Sequence, residues 1–454
     1  MTQSAGQKKA IATKSSEPGL VEQIDIFSNK TGKSVSLANG LISFTYVESI
    51  MNDTIKVNLS FIDSGNTIDN KNIIEGLPLV GQERVILKFS DNNKNTLGGK
   101  PELVLYVNKI TPIDSKTQKS IVALELVSKE SILNQKIRIT KRMDGKVSDH
   151  IKTILTSQDY LRTEKKVEVE DTINNFNFFG NNKKSFYTIN WLSKKGVSAK
   201  SQKLGESAGY FFYETSEGFF FKSIDSLLDQ EAKTKLIYNE TPDSFGKNIP
   251  EGYDQKVLKF SKNNNVNVQE KLKMGTFSNR TVLFDPFTCF YEVKAPNTSQ
   301  TEGFLKKGGK NLTLGEETRN KEFDIEGTNK DFSRTQYFLL DKGTAPTGNS
   351  DQQIEKSAEE NFVYGQIANQ SMMRYNQLYS MRVNITIAGN LSLHAGDAIY
   401  LDFPGLEQKN TFNLDNRDGG LYIITDICHS LDTEGTFTEC NLVRDSYGRK
   451  PLPR

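Results

Sequence analysis

The residues Ile55-Lys56-Val57-Asn58-Leu59-Ser60-Phe61 decide the fold class of this chain. Apolar and polar side chains alternate along this run, so one face can be buried while the other meets solvent or a partner. The same period of two recurs in residues 85–89, 103–107 and 122–126, and the turn-rich residues 91–99 separate two of these runs. Several short strands at this spacing predict an antiparallel barrel or sandwich.

The pattern changes in the middle of the chain. Val147, Ile151, Ile154 and Leu155 recur at the spacing of one helix face, and a second helix is predicted around Trp191. Aromatic strands, predicted helices and loops then alternate up to residue 379. They comprise a hairpin at 210–221, polar loops at 240–252 and 294–318, a linker at 341–352 and a helix at 364–379.

The C-terminal residues return to the period of two. Met381, Val383, Ile385 and Ile387 alternate with polar side chains, and further strands are predicted at 398–403, 421–429 and 436–444. The layout is therefore β, mixed α/β, β. The two β regions are alike in the length and number of their strands, although they share no repeat at the level of residues.

Composition limits the possible functions. At about 150 residues per domain, 454 residues predict roughly three domains. An apolar share of 36% with 10% aromatic residues favours thin barrels over one thick core. The 58 Lys and Arg against 56 Asp and Glu argue against a general polyanion binder, which would have a basic excess.

The ends and the cysteines give further expectations. The first residues lack the apolar region of a signal peptide, and we expect a disordered arm over residues 1–20. No stretch approaches the roughly 20 apolar residues that a membrane helix needs, so no membrane insertion is predicted. Cys289, Cys428 and Cys440 are odd in number and widely spaced, which predicts no disulfide framework and folding in a reducing compartment.

Two incomplete phosphate-binding motifs occur. Gly32-Lys33-Ser34 matches the end of a P-loop, but the position that must be Gly is Phe27. The second motif has its two glycines at Gly303 and Gly308, but the next position, which must be Lys, is Gly309. Because neither loop can surround phosphates with its backbone N–H groups, a hairpin turn is expected at residues 31–34.

The residues Asp91, Asn93, Asn95 and Glu102 match positions 1, 3, 5 and 12 of a calcium-binding loop. Position 6 should be Gly for the sharp turn, and it is Thr96. The flanking residues also predict strands rather than helices. An Asn-rich hairpin loop is the expected structure.

The histidines do not match a metal site. His150 is expected on the solvated side of a helix, His394 in a turn and His429 at the end of a strand. None has a Cys or a second His at the spacing of metal ligands.

Cys428 and Cys440 fall on the two strands of the last predicted hairpin. If the turn centres on Glu434 they face each other, and if it is shifted by half a step Cys428 faces Glu439. Opposed cysteines can form a disulfide only at a suitable Cα separation, and two buried thiols are the favoured alternative.

Charged residues give no catalytic constellation. Arg138, Lys141 and Arg142 form a small basic cluster, but Glu130 and Asp144 are near, which predicts a solvated charged face. No Gly-x-Ser-x-Gly motif occurs, and no pair of carboxylates stands out for acid–base chemistry. The sequence therefore predicts no catalytic, metal-binding or cofactor-binding residues, no cofactor and no enzyme.

Four segments in order carry a resemblance to a known family. They are residues 211–227, 279–291, 373–404 and 420–448. Together they resemble the central baseplate hub protein of T-even-like contractile-tailed bacteriophages, over about residues 40–450. The last segment is also similar to the C-terminal barrel of related tail hub and secretion-spike proteins.

The resemblance implies a mainly β fold with an α+β insertion, in which two tube-type antiparallel β-barrels flank a mixed α/β middle domain. It implies that the second barrel is interrupted and takes its first strands from Tyr210 to Phe221. The domains expected on this basis are an arm (1–20), a first barrel (21–130), a middle domain (131–205 and 229–375) and a second barrel (206–228 and 376–450).

The resemblance also implies a function. It suggests a structural hub in which a homotrimer forms a pseudo-sixfold ring of six barrels, which joins the tail tube to the central spike and lets DNA pass. The implied partners are the spike, a tube or tube-initiator protein and baseplate wedge proteins, in a virion assembled in the host cytoplasm. The alternatives are a carbohydrate-binding tail or adhesion module, because of the aromatic content, and a peptidoglycan hydrolase.

Overall fold

The computed structural model describes residues 14–65, 68, 70–98, 100–115, 119–200, 207–238, 252–263, 267–285, 289–295, 305–315, 318–323, 332–339, 364–405 and 414–450. Over these residues the chain is mainly β with helical insertions, which confirms the predicted fold class.

The N-terminal part contains strands and one short helix in the described residues. They are β1 (Leu20–Phe27), β2 (Ser34–Ser36), β3 (Leu41–Ser49), β4 (Lys56–Asp63), α1 (Ile73–Gly76), β5 (Arg84–Ser90), β6 (Thr96–Leu97), β7 (Leu103–Ser115) and β8 (Ser120–Val127), with a 3-10 turn at Ala38–Gly40.

The next part mixes short strands with helices. They are α2 (Lys129–Lys136), β9 (Arg138–Ile139), β10 (Arg142–Met143), α3 (Val147–Thr156), β11 (Val167–Val169), β12 (Phe178–Phe179), β13 (Lys183–Lys184), α4 (Ser185–Ser193), β14 (Tyr210–Thr215), β15 (Gly218–Ser223) and α5 (Ile224–Leu228).

The C-terminal half returns to longer strands. It contains β16 (Thr234–Tyr238), β17 (Gln255–Lys262), α6 (Val268–Met274), β18 (Arg280–Asp285), β19 (Phe290–Lys294), β20 (Asn311–Leu312), a 3-10 turn (Lys321–Phe323), β21 (Thr335–Leu339), α7 (Tyr364–Leu378), β22 (Met381–Ala388), β23 (Ala398–Asp402), β24 (Gly420–Leu431), β25 (Thr436–Arg444) and β26 (Ser446–Tyr447).

The first barrel has the strand order β1-β5-β7-β8-β4-β3, and every neighbouring pair is antiparallel. The predicted alternation fills its interior, since Val57, Leu59 and Phe61 of β4 are all buried. No pairing joins β1 to β3 among the described residues. The buried Leu37 lies at this seam, where its backbone N–H donates to Ile24 O.

The second barrel is closed. Its strands follow the order β16-β23-β24-β25-β22-β17, and β17 pairs with β16 to complete the circle. Its core is one apolar cluster that includes Val383, Ile385 and Ile387, the residues whose alternation predicts a strand. The pairs that β16 makes are parallel, which differs from the expected all-antiparallel barrel.

The two barrels have the same strand order. If the six strands of each barrel are numbered along the chain, both barrels read 1-4-5-6-3-2. In both barrels, every pair of neighbouring strands that does not contain strand 1 is antiparallel. The first strand differs, because β1 is antiparallel to its neighbour and β16 is parallel to both of its neighbours.

The barrels are joined through one strand pair in a continuous sheet. The N-terminal residues of β24 pair with β23, whereas Asp426 to Leu431 pair with β3 of the first barrel. The register of β24 against β25 shifts between Ile424 and Asp426, and a bulge of this kind bends a strand. At the bend near Thr425, one edge of β24 therefore changes its partner from β23 to β3, while its other edge stays paired with β25.

The hairpin of β14 and β15 does not belong to the second barrel, which corrects the prediction for Tyr210 to Phe221. It forms a separate sheet in which β11 is parallel to β15. Residues 234–238 and 255–262, which the sequence places in the middle domain, supply the first two strands of that barrel instead. The alternating pattern reports which faces are buried and does not specify the partner strand.

Both faces of this hairpin are buried, each against a different core. Phe211, Tyr213 and Phe220 pack into the core of the second barrel. Tyr210, Phe212, Phe219 and Phe221 pack into the core formed with α3 and α4. The hairpin therefore lies between the second barrel and the middle helices. The predicted helices at 147–155, around Trp191 and at 364–379 agree with α3, α4 and α7.

Candidate functional site

The junction between the barrels is built around the buried carboxylate of Glu48, near the end of β3. Its Oε1 accepts hydrogen bonds from Tyr46 Oη (2.6 Å) and Ser216 N (3.0 Å). Its Oε2 accepts one from Ala395 N (2.9 Å), and His394 Nδ1 lies 3.1 Å from Oε1. One carboxylate thus joins the first barrel, the β14–β15 turn and the β22–β23 loop of the second barrel.

The pKa values of Glu48 and His394 shift in opposite directions from their ordinary values. Burial favours a higher pKa for Glu48, but the positive charge of His394 and the hydrogen bonds to the carboxylate hold the pKa below its ordinary 4.5. Burial favours a lower pKa for His394, yet the Glu48 carboxylate raises it above the ordinary 6.5. The pair is therefore ionised between these two values.

A second buried ionic group ties the hairpin to the neighbouring elements. Lys165 Nζ pairs with Glu214 Oε1 and lies 3.2 Å from Glu130 Oε2. Glu214 Oε2 also accepts from Ile55 N (3.2 Å), and Glu130 Oε1 accepts from Thr163 Oγ1 (2.6 Å). Burial raises the pKa of Glu214 despite the lysine. A peptidoglycan hydrolase would need a cleft with paired carboxylates or a Cys/His site, whereas these two carboxylates accept hydrogen bonds from Ile55 N and Thr163 Oγ1 in the interior, which favours a structural role.

The candidate calcium loop at Asp91 is a second link between the barrels. Asp91 Oδ1 accepts from the backbone N–H groups of Asn93 and Asn95, both at 2.8 Å, and its Oδ2 accepts from Leu391 N at 3.0 Å. Asn93 Nδ2 donates to Gly389 O (2.8 Å). The loop therefore binds residues 389–391, directly after β22. Within the described residues, no group of three or more His, Cys, Asp or Glu side chains could hold a metal ion.

The structure places His150 in the interior, which corrects its expected solvated position. Its Nε2 lies 2.7 Å from Phe176 O, and its ring meets Phe178 edge-on at 5.4 Å between centroids. Phe176 and Phe178 lie over this side of α3, so a flank that is polar in sequence becomes buried. Burial lowers the pKa of His150. His429, near the end of β24, is also buried, and burial lowers its pKa to about 4.

The cysteines follow the second of the two predicted registers. Cys428 pairs across the hairpin with Glu439, and Cys440 lies opposite Ile427. Cys428, Cys440 and Cys289 are all free thiols. Cys440 is buried and Cys428 half-buried, and burial raises the pKa of Cys428 to about 11.

The remaining sequence features have structural positions. Lys141 pairs with Asp159 at 2.5 Å at the surface, as predicted for a solvated charged cluster. Arg142 pairs with Asp144 at 2.8 Å, but its side chain is only 16% exposed, and Glu130 is buried, so the structure corrects the prediction for these two residues. Residues 28–33 form the turn between β1 and β2, where Gly32 has a φ of +68°. Gly303 of the second glycine motif, residues 1–13 of the arm, most of the loop at 240–252 and the linker at 341–352 lie outside the described residues.

An exposed apolar sheet face is a further feature that sequence analysis did not single out. The strands β19, β18 and β21 form a three-stranded sheet, and α7 covers its inner face, where Thr281 Oγ1 donates to Asn369 Oδ1 (2.6 Å). Register places six apolar side chains on the outer face. They are Val282, Phe284, Tyr291, Val293, Tyr337 and Leu339.

Exposure of this outer face is high for apolar side chains. Tyr337 is 75% exposed, Leu339 71% and Tyr291 65%. A contiguous exposed apolar group is typical of a surface that binds another molecule, whereas single exposed apolar residues are ordinary. We refer to these six residues as the outer sheet face. The sequence signal was weak, because apolar and charged residues alternate only in 290–294, whereas 282–284 and 337–339 are continuous apolar runs that do not tell which face is covered.

Sequence analysis also missed the buried charged residues, although the sequence contains a signal for the burial of Glu48. Phe44, Tyr46 and Glu48 have the same parity in β3, so the period of two already places Glu48 on the inward face. A carboxylate at such a position requires partners in the interior. Glu214 has the parity of Tyr210 and Phe212 in β14, which is the same signal, whereas none marks Lys165.

No family model and no curated protein matches the chain. Among solved structures, it is similar to the 43 kDa tail protein of prophage MuSo2 from Shewanella oneidensis (10% identity, 93% of this chain and 98% of that chain, TM-score 0.49). It is also similar to a tail protein from Neisseria meningitidis MC58 (9%, 93% and 96%, TM-score 0.49). A third is prophage tail protein gp18 from Listeria monocytogenes EGD-e (9%, 93% and 94%, TM-score 0.47). In the described residues, no helix has the length and apolar character to cross a membrane.

Proposed function

We propose that this chain is a structural hub subunit of a contractile phage tail, and that three copies form a ring between the tail tube and the central spike. The observation that carries the proposal is the pair of barrels with one strand order, joined in a single sheet. The four ordered segments that resemble baseplate hub proteins support the same role. On this proposal the protein is part of the tail baseplate of the virion.

The geometry of the ring follows from the doubled barrel. Three subunits with two barrels each supply six barrels, so the ring has nearly sixfold symmetry towards a tube and threefold symmetry towards a spike. Such a ring requires that the two barrels of a subunit keep a constant orientation. The β3–β24 pairing, the Glu48 hydrogen bonds and the Asp91 loop support a rigid junction of this kind.

We propose that the outer sheet face contacts another copy of the chain in this ring. An obligate subunit contact is richer in apolar surface than the rest of a protein, and it buries roughly 2,000–5,000 Å². The segments next to this sheet in the sequence, 296–304, 324–331 and 340–363, are mostly polar, so they offer few apolar groups to cover it. In a threefold ring the face meets a different surface of the neighbour, because such contacts are heterologous.

The charge balance supports a conduit for DNA. A ring that DNA must slide through needs no base contacts and no strong phosphate binding, since each neutralised phosphate would increase the affinity. The chain has 58 basic and 56 acidic residues, a net charge of +2. We expect the full-length protein to bind duplex DNA only weakly and without sequence preference at physiological salt.

Light scattering tests the trimer. A trimer has a mass of 3 × 51.1 kDa, which is 153.3 kDa. We expect this mass for the purified full-length protein, or for the protein with its spike partner, and a ring in electron micrographs. A stable monomer in the presence of spike and tube proteins would contradict the proposal.

A double variant tests the contact surface. We expect Tyr337→Lys with Leu339→Lys to shift the mass towards the monomer, because two charges would have to be desolvated in the contact. Val80→Lys is the matched control, since Val80 is 85% exposed and lies outside the outer sheet face. A double variant that remains trimeric would remove the outer sheet face from the proposal while leaving the ring intact.

A carbohydrate-binding module is the second candidate, and exposed aromatic rings favour it. Tyr291 and Tyr337 are exposed on the outer sheet face, where rings of this kind could stack on sugars. Trp191 does not contribute, because its ring packs between Phe176 and Phe178 at 5.2 and 5.3 Å. Glycan binding that Tyr291→Ala and Tyr337→Ala abolish, in a protein that stays monomeric, would favour this candidate over the hub.

A further inference from the structure

A groove of about 620 Å³ lies between α7, β21, the end of α4 and the end of β3. Its lining is mostly apolar and includes the buried Ile50, while Met51 is 62% exposed, so the groove is open to solvent. The strand β21 lines it with Gln336 and Phe338, and Gln336 Nε2 lies 2.9 Å from Met372 Sδ of α7. Because no described residue of β18 or β19 lines the groove, it lies on the β21 side of the three-stranded sheet.

The strand that borders the groove has a free edge. Among the described residues, β18 is the one strand that pairs with β21, in parallel and without a register shift. Arg280 N donates to Arg334 O (2.7 Å), so the alternation of a parallel pair directs the backbone groups of Gln336 and Phe338 towards β18. The N–H and C=O groups directed towards the free edge are those of Thr335, Tyr337 and Leu339.

The strand β21 lacks the features that keep an edge strand from pairing. Natural edge strands are protected by lysines, prolines or bulges. The sequence of β21, Thr-Gln-Tyr-Phe-Leu, has no charge and no proline, and its pairing with β18 has no bulge. Tyr337 and Leu339 are exposed on one face of the strand, and the groove lies beside Phe338 on the other. An unpaired edge between two apolar surfaces indicates a place for an extended strand.

The charges of the groove select the kind of strand. Lys194 and Arg334 are exposed and are the charged residues of the described lining. Arg334 Nη1 donates to Met274 O (3.4 Å), and neither cation forms an ion pair within the described residues. Asp53 is near, but it is not part of the lining and its carboxylate accepts a hydrogen bond from Asn190. The groove therefore has two cations without a counter-charge, and an acidic segment complements it.

We propose that the free edge of β21 and this groove bind an extended strand of a partner protein, which carries apolar side chains and acidic residues. In such strand addition, backbone hydrogen bonds supply affinity and pockets for alternate side chains supply specificity. Two or three of the five residues opposite β21 would face the groove, whose 620 Å³ falls in the usual range of about 300–1,000 Å³ for binding pockets. A small apolar anion would leave the edge unpaired.

This site goes beyond the proposed ring, because all the residues named belong to one chain. It uses the edge and the inner side of β21, whereas the proposed contact between copies uses the outer sheet face. Binding of a peptide and the mass of the protein are therefore separate measurements. A protein that forms the ring without binding the peptide contradicts this proposal alone, and a monomer that binds the peptide contradicts the ring alone.

Fluorescence anisotropy with the full-length protein tests strand addition. The probe is a labelled heptapeptide of glutamate, valine, threonine, valine, tyrosine, valine and glutamate, in that order. We expect saturable binding, and binding at least about tenfold weaker when the five central residues are N-methylated, because the N–H groups that would pair with β21 are removed. Absence of saturable binding would overturn the proposal. Equal binding of the N-methylated peptide would show that strand addition is wrong.

A charge exchange identifies the groove. Lys194→Glu with Arg334→Glu should weaken binding of this peptide at least about tenfold and strengthen binding of a peptide with lysine in place of both glutamates. The matched control is Lys30→Glu with Lys56→Glu, which makes the same change of charge at exposed residues outside the lining and should alter neither affinity. If both double variants have the same effect, the peptide responds to net charge and the assignment of the groove is wrong.

A variant of the edge separates a partner strand from a second copy. Thr335→Pro removes an N–H that faces the free edge and no bond to β18, so it should weaken binding of the heptapeptide at least about tenfold. Thr335→Val keeps the N–H and should bind as the unmodified protein does, with a similar unfolding temperature in both variants. If Thr335→Pro instead shifts the mass from trimer to monomer, a second copy supplies the strand and its assignment to a separate partner is wrong.

Discussion

At the scale of single residues, buried ion pairs decide how the parts of this protein are held together. Glu48 accepts hydrogen bonds from three separate stretches of the chain, and Lys165 joins two buried carboxylates. A pair of buried charges adds little net stability, but removal of one partner leaves the other charge unpaired, which costs several kcal/mol. Such pairs therefore specify orientation more than they increase stability.

The Glu48–His394 pair predicts a pH dependence. The raised pKa of His394 gives a contribution that is complete below pH 6.5 and lost as the pH rises through that raised pKa. The lowered pKa of Glu48 gives one that is complete above pH 4.5 and lost as the pH falls through that lowered pKa. We expect the difference in free energy of unfolding between the unmodified protein and His394→Asn to be largest between pH 4.5 and 6.5.

Urea denaturation at pH 5.5 and pH 8.5, at one protein concentration, measures this difference. Asp159→Asn is a suitable control, because its partner Lys141 is 68% exposed and the pair is solvated. If the difference for His394→Asn is the same at both pH values, the two groups are not coupled as described.

At the scale of elements, the attachment of α7 shows how a helix is joined to a barrel. Arg374, in the middle of this helix, is fully buried. Its Nη2 lies 2.7 Å from Asp225 Oδ1 of α5, and its Nη1 lies 3.0 Å from Asp445 Oδ2 after β25. The same Nη2 donates to Lys306 O at 2.9 Å. One guanidinium therefore connects the helix to three parts of the chain.

Arg374→Met should destabilise the protein by about 3–5 kcal/mol, because two carboxylates lose their cation in the interior. Chemical denaturation gives the free energy of unfolding. Lys306→Met is the control, since its ion pair with Asp229 is more than half exposed on both sides and should contribute little. Loss of stability of equal size in both variants would contradict the importance of the buried pair.

The β14–β15 hairpin depends on one glycine. Gly218 has a φ of +144°, and a Cβ at this position would lie 2.2 Å from Lys166 O. We expect Gly218→Ala to separate β11 from β15 and to cost about 1–3 kcal/mol. Gly32→Ala is the control, because its φ of +68° is also positive but no atom lies within 4 Å of the added Cβ.

Thermal unfolding with hydrogen exchange of β11 and β15 measures the effect of Gly218→Ala. The backbone N–H of Phe219, which donates to Lys166 O at 2.8 Å, is the most direct reporter. Protection of this amide equal to that in Gly32→Ala would show that the close approach is tolerated.

At the scale of the whole molecule, the two barrels behave as one sheet with two cores. β24 pairs with strands of both barrels, and the sheet continues from β2 through the first barrel to β25. Separation of the barrels would expose the edges of β3 and β24 and the buried Glu48. The shared strand therefore couples the stability of one barrel to that of the other.

We expect the barrels and the middle region to unfold in a single transition. Trp191 is the one tryptophan and lies in the core of α3 and α4, so its fluorescence reports the middle region. Far-ultraviolet circular dichroism reports mainly the strands of the barrels. Coincident midpoints are the expected result, and midpoints that differ by many degrees would show that the middle region unfolds independently.

Local patterns determined most of the elements of this protein. The period of two predicts the strands at 55–61 and 381–387, and the helical spacing predicts α3, because burial of one face depends only on residues that are close in sequence. The same reasoning places Glu48 on an inward face. Composition predicts thin barrels, and the aromatic residues of 210–221 predict a buried hairpin.

Only the tertiary structure decided which strands share a barrel, the direction of β16, the partners of Glu48 and the exposure of the outer sheet face. The physical reason is that alternation reports burial of a face without naming what buries it. The hairpin at 210–221 has aromatic residues on both faces and lies between two cores, whereas the less apolar strands β16 and β17 close the second barrel. Strand pairing and the partners of buried charges depend on contacts between residues far apart in the sequence.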